Sequence, residues 1–361
     1  MPEIQHSVQI NWPNVTVAVN CNHAPIISHI REHVRPLVAT KLCDEPDVTI
    51  QINWREAEDG PAEYPLLALA EDRRASKIGK RLYRIDDKLL WTDILRTKNT
   101  VTLLSLKDNR LRVEYDHYFE IPPKKLQRNP QYRYEKYFSL LKYFLYFPSI
   151  WYQEQFQKRY LLHASGVSMN GNGVALGGVG GVGKTTTCIG LLTRENTHLL
   201  SENLIFYDDK NFYQLYEPIR LDDNSVKLLG EKKDSVSPCN FPDGTRPKQM
   251  FHVHDRYLAD QCRAKVMILP EFFQESGAKQ ISARKAIIRL ENYNLLTREV
   301  NDYFWYAATL NLLEGANNFP TYQRIETLQK LLADIPAYQL FIDRSQGVAP
   351  VVETISKLAE S

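Results

Sequence analysis

One stretch constrains this 361-residue chain more than any other: Gly178-Val-Gly-Gly-Val-Gly-Lys184-Thr185. It fits the pattern G-x4-G-K-[ST] at every position. A short apolar run, Gly173-Val-Ala-Leu, precedes it, and residues 185–192 read as a helix. A loop that wraps a polyphosphate must aim successive backbone N–H groups inward. That calls for backbone angles and close approach that glycine allows at least steric cost. Gly177, Gly178, Gly180, Gly181 and Gly183 supply them. The helix starting near Lys184 would turn its positive end toward the phosphates. The pattern therefore assigns Gly178, Val179, Gly180, Gly181, Val182, Gly183, Lys184, Thr185 and Thr186 to phosphate binding. Lys184 would reach the outer phosphates, and the Thr185 hydroxyl would ligate Mg²⁺. Such a loop implies nucleotide binding; its flanks decide the reaction.

Strands and helices alternate around the loop. Residues 161–167 read as a strand, Asn170-Gly-Asn-Gly as a tight turn, and 198–201, 204–207, 212–216, 265–270 and 338–342 as further strands. Helical spacing recurs at 303–313, 322–335 and 351–359, so this half is an α/β domain. Residues 1–130 differ. Apolar runs at 15–19 and 48–52, and hairpin patterns at 81–91 and 100–115, predict an antiparallel sheet. One helix is expected near 24–40, with Pro36 an obstacle to its end. Between the halves, Tyr137, Leu140, Leu141, Phe144, Ile150, Trp151 and Phe156 fall three and four apart. That stripe predicts connecting helices, divided at Pro148. The expected organisation is a strand-rich α+β domain over 1–130, connecting helices over 131–160, and an α/β domain over 161–361.

Lys plus Arg number 45 and Asp plus Glu 43, leaving no basic footprint for nucleic acid. A charged fraction of 24% with 43% hydrophobic residues is that of a globular chain with a sizeable core. No apolar run reaches the ~18 residues of a membrane helix, and the opening MPEIQHSVQINW lacks a secretory pattern. Five scattered cysteines without a CxxC pair predict reduced thiols and a cytoplasmic location. His252 and His254 form a two-imidazole pair with no third metal ligand spaced nearby.

Three features flank the loop: Leu162-His163-Ala-Ser-Gly-Val before it, His198-Leu-Leu-Ser201-Glu202-Asn203 after its helix, and Glu217-Pro-Ile-Arg220-Leu-Asp222 beyond the next hairpin. Over about residues 160–225, and more loosely to about 345, this resembles the catalytic domain of HPr kinase/phosphorylase. That family includes the HPr-kinase-like enzymes encoded beside lasso-peptide genes. The resemblance implies a P-loop kinase domain of the phosphoenolpyruvate-carboxykinase-like type. It implies ATP and Mg²⁺ as cofactors and a hydroxyl acceptor, typically serine, on a protein, peptide or small molecule. It also implies that Lys184 holds the β and γ phosphates and that Thr185 binds Mg²⁺. Glu202 would take the hydroxyl proton or bind the metal, and Asn203 would join it as a metal ligand. His163 stands at the position of the family's active-site histidine. Arg220 lies where a basic residue beside the transferring phosphate would be useful. Related kinases assemble as homo-oligomers.

Two departures bear on activity. Thr186 stands where HPr kinases carry glutamate after the loop's hydroxyl residue, and the acidic pair after the next strand is reduced to Glu202-Asn203. Three readings follow from the residues. The first is an ATP-dependent kinase using Lys184, Glu202, His163 and Arg220. The second is a nucleotide-sensing module or pseudokinase that binds without fast transfer. The third is a hydrolase coupled to conformational change, disfavoured because no apolar strand ends in the Asp of a motor-type ATPase. The Leu296-Thr-Arg298-Glu299 stretch could cap a helix near the nucleotide or acceptor. The first 130 residues would select the acceptor.

Overall fold

A computed structural model describes residues 6–57, 62–94, 99–241, 249–314, 316 and 320–360. The chain divides into two compact units. The first comprises residues 1–157, 240–246 and 303–319; the second comprises 158–239, 247–302 and 320–361. The first is mainly sheet and the second is α/β.

The first unit is built on an eight-stranded sheet. Strand Val48–Glu56 is third in its order and runs parallel to both neighbours, Val15–Cys21 and Arg110–Phe119. The outer pairs are antiparallel. The sheet is therefore mixed, where alternation alone had predicted antiparallel pairing. The period of two fixes which side chains share a face but not the direction of a neighbour. The hairpin between Thr100–Lys107 and Arg110–Phe119 turns on Asp108 and Asn109, both with positive φ, 50° and 59°. Those angles suit a two-residue loop and tolerate these side chains. Helix Ala24–His33 stops before Pro36, which sits in the separate short turn Arg35–Leu37.

Residues 132–157 stay helical throughout instead of dividing at Pro148. Two wider π-type turns, Lys142–Tyr146 and Gln153–Gln157, flank the segment Phe147–Tyr152. Pro148 falls in the first turn of that segment, where a missing N–H and a ring against the preceding turn are tolerated. The aromatic stripe belongs to the core of this unit. Tyr137, Phe144 and Trp151 are fully buried, and the Tyr115 hydroxyl donates to the Tyr143 carbonyl at 2.7 Å. Residues 303–311 join that core: Tyr303 donates to buried Glu154 at 2.5 Å, and Trp151 Nε1 donates to Asn311 at 2.8 Å.

The second unit carries a nine-stranded mixed sheet covered on both faces. Strand Asn172–Gly177 runs parallel to Gln261–Phe272, which runs parallel to Ala337–Ile342. Val174 and Leu176 face one core with helices Lys184–Leu192 and Ala349–Glu360. Ala175 and Met267 face the other with Ala283–Leu296 and Pro320–Asp334. Such double cover is why these strands read as apolar runs rather than alternating ones. The predicted strand 161–167 is two strands. Tyr160–Leu162 pairs with Ile205–Tyr207, whereas Ala164–Met169 pairs with Asn172–Gly177 and Thr197–Ser201. The chain changes partners at His163. A small sheet of Ile219–Leu221, Val236–Pro238 and Gln249–Val253 has no counterpart among the sequence expectations. Its strands are three to five residues long, too short for periodicity to register.

Candidate functional site

The glycine loop connects the carboxyl end of Asn172–Gly177 to the first turn of helix Lys184–Leu192. Ligands of α/β sheets meet the protein at that end of the strands. Gly181 and Gly183 have φ of 82° and 91°, in the region that favours glycine, and Gly183 is the residue immediately before the helix. A Cβ at Gly180 or Gly181 would meet nothing within 4 Å. Val179, Gly180 and Gly181 are exposed, while Gly178 and Val182 are buried. The loop thus has an anchored base and an open rim, with the helix's unpaired N–H groups at one side.

Lys184 crosses the loop from the far side. Its Nζ donates to the carbonyls of Gly178 at 2.6 Å and Val179 at 3.1 Å. Burial pulls its pKa down to about 8, and the carboxylate of Glu202 pulls the other way. The Thr185 hydroxyl donates to Oε1 of Glu202. Glu202 follows directly on strand Thr197–Ser201, and its carbonyl accepts the Ser165 hydroxyl. The loop threonine, the loop lysine and one carboxylate therefore share one electrostatic neighbourhood. A hydroxyl, a carboxylate oxygen and an adjacent amide are hard oxygen donors of the kind Mg²⁺ takes. Thr185 and Glu202, in contact with each other, are donors of that kind, and the Asn203 amide follows Glu202 in the chain.

Asn203 leads to a second group. Its Nδ2 lies 3.5 Å from a carboxylate oxygen of Glu217 and 3.5 Å from one of Glu299. By sequence Glu217 is only part of a stretch flanking the loop, and Glu299 only part of a helix start near the nucleotide or acceptor; the fold gathers both at residue 203. The pair Glu202-Asn203 is thus poorer in charge than the family pattern by sequence, yet two further carboxylates stand beside it.

His163 is 5% exposed. Its ring Nδ1 lies 2.6 Å from the Thr297 hydroxyl, its backbone N–H donates to Asn294 at 3.0 Å, and its side chain also bonds Asn203. Burial first, and then the charge of Lys184, push its pKa down to about 4, so the ring is neutral near pH 7. It is tied on two sides and reaches Asn203. Arg220 is exposed in the middle of Ile219–Leu221, in the small sheet paired with Gln249–Val253. Asp222 caps helix Asp223–Leu228 by accepting from the Ser225 N–H at 2.8 Å. Thr186 is exposed in the first helical turn, and Cys188 is buried, its thiol pushed up by burial. His252 is buried and bonded to the Tyr216 hydroxyl at 2.7 Å, whereas His254 is exposed.

Among the described residues, no helix is long and apolar enough to cross a membrane. No protein-family model matches the chain, and no curated protein does. Solved structures do match, among them the Hpr(Ser) kinase/phosphatase from Coxiella burnetii. The likeness covers 55% of this chain and 94% of that one, at 8% identity and a TM-score of 0.26. A similarity that remote leaves the chemistry to be read from the chain's own residues.

Proposed function

We propose that the protein is an ATP- and Mg²⁺-dependent kinase that transfers a phosphoryl group to a hydroxyl on a protein, peptide or small molecule. The observation that carries this reading is the hydrogen bond from the Thr185 hydroxyl to Glu202, made beside Lys184 at the mouth of a glycine loop. Phosphoryl transfer asks a protein mainly for positioning and charge neutralisation. Backbone N–H groups of residues 178–186 would hold the phosphates. Lys184 would exchange the carbonyls of Gly178 and Val179 for phosphate oxygens. Thr185, Glu202 and the amide oxygen of Asn203 would hold Mg²⁺, which when bound neutralises phosphate charge. His163, held by Thr297, orients Asn203 in this reading and is not itself the base. The acceptor's proton goes to one of the carboxylates beside Asn203, Glu217 or Glu299. Residues 1–130 select the acceptor.

Glu202→Gln tests the assignment because it preserves shape and removes charge. With [γ-³²P]ATP, Mg²⁺ and a library of hydroxyl-bearing peptides, the variant is expected to lose at least about a hundredfold in transfer, the order of a lost electrostatic contact in a transition state. Nucleotide affinity should change far less. Transfer equal to wild type in the variant would overturn the role of Glu202, and tight nucleotide binding by wild type with no labelling of any acceptor would favour the nucleotide-sensing module instead.

A further inference from the structure

The loop accounts for phosphates and leaves the rest of a nucleotide without a seat. One exposed aromatic ring lies next to it. Phe272 is the last residue of strand Gln261–Phe272, at the carboxyl end of the sheet, and is 41% exposed. Its Cε1 lies 3.9 Å from where a Cβ on Gly183 would stand. Pro270, two residues earlier, borders Gly178 at 3.6 Å in the same sense. The strand end thus runs along the wall of the loop. Arg344 lies over the ring, its guanidinium carbon 5.1 Å from the Phe272 centroid.

The backbone under this pair is fixed. Phe272 is in register with Ile342 in the parallel neighbour strand, and the Phe273 N–H donates to the Ile342 carbonyl at 3.0 Å. Phe273 packs against Phe341 at 5.2 Å between centroids. Arg344 begins a short turn pinned by Asp343, whose carboxylate accepts the Ser345 N–H at 2.9 Å and hydroxyl at 2.7 Å. A partly exposed aromatic ring with a planar cation stacked over it offers π-surfaces on which nucleobases stack. Stacking accepts any base, because every base has a π-face.

We infer that Phe272 and Arg344 form the platform for the base of a nucleotide whose phosphates occupy the loop at 178–185. This deepens the reading above and rests on it. Titration calorimetry compares Mg·ATP with inorganic Mg·tripolyphosphate, which has phosphates and no base, on wild type, Phe272→Ala and Phe272→Trp. Phe272→Ala is expected to bind ATP about tenfold more weakly while tripolyphosphate affinity stays within about twofold, and Phe272→Trp to retain ATP affinity. Unchanged ATP affinity in Phe272→Ala overturns the platform, as does an equal loss for both ligands. So does wild type binding ATP no tighter than tripolyphosphate. Wild type binding neither ligand overturns the phosphate-loop reading itself.

Discussion

Lys184 is under two opposed influences. Burial holds its pKa down to about 8, while Glu202 favours its charge. Near pH 7 it remains mostly protonated, satisfied by two loop carbonyls. A polyphosphate in the loop adds negative charge beside it and must raise that pKa. Binding above pH 8 therefore takes up a proton, and affinity falls as pH rises past 8. Calorimetry of Mg·ATP binding at pH 8.5, in buffers of different ionisation heat, should report proton uptake that is absent in Lys184→Met. Identical apparent enthalpies in all buffers would contradict it. At His163 burial and the charge of Lys184 outweigh hydrogen bonds to Asn203 and the Tyr293 backbone that favour the charged ring, and the imidazole is neutral near pH 7. Its position ahead of the loop was legible in the sequence, but its partners were not. Asn294 and Thr297 come from 131 and 134 residues further along the chain.

At the scale of elements, the loop's setting was plain because strand, glycine turn and helix are contiguous. Local spacing carried that information, as it did the hairpins at Asp86 and at Asp108-Asn109, where φ is positive. It did not separate Tyr160–Leu162 from Ala164–Met169, since a change of strand partner leaves no mark on periodicity. Nor did it find helix Ala283–Leu296, whose exposed Ile288, Leu295 and Leu296 blur the stripe. Gly173 shows why the strand before the loop has its composition. A Cβ there would stand 2.8 Å from the Arg263 carbonyl oxygen, 2.8 Å from Cys262 Sγ and 2.9 Å from Phe212. The backbone oxygen belongs to the adjacent parallel strand and cannot step aside alone. Gly173→Ala is expected to destabilise the protein by about 1–3 kcal/mol, the range for overpacking a filled core. The shift in denaturant midpoint measures it, and a midpoint equal to wild type would show that the sheet yields there.

For the whole molecule, the two kinds of architecture were legible and the path of the chain between them was not. Hydrophobic texture distinguishes a mostly one-face-buried sheet from doubly covered strands. It says nothing about which unit a segment joins, so residues 240–246 and 303–319 could not be assigned to the first unit by reading alone. The same limit applies to the site. The loop is a run of neighbours in sequence, whereas Glu217, Glu299 and Thr297 meet Asn203 and His163 only through folding. In the function proposed above, the loop of the second unit is a polyphosphate cup closed by Lys184 and faced by Glu202. Its most direct test is Mg·ATP titration of wild type and Lys184→Ala, with both shown to be folded. Saturable binding to wild type with one site per chain is expected, with a loss of about a hundredfold or more in the variant, as for a charge-assisted contact worth a few kcal/mol. Absence of binding to the folded wild type, or equal affinity in Lys184→Ala, would contradict it.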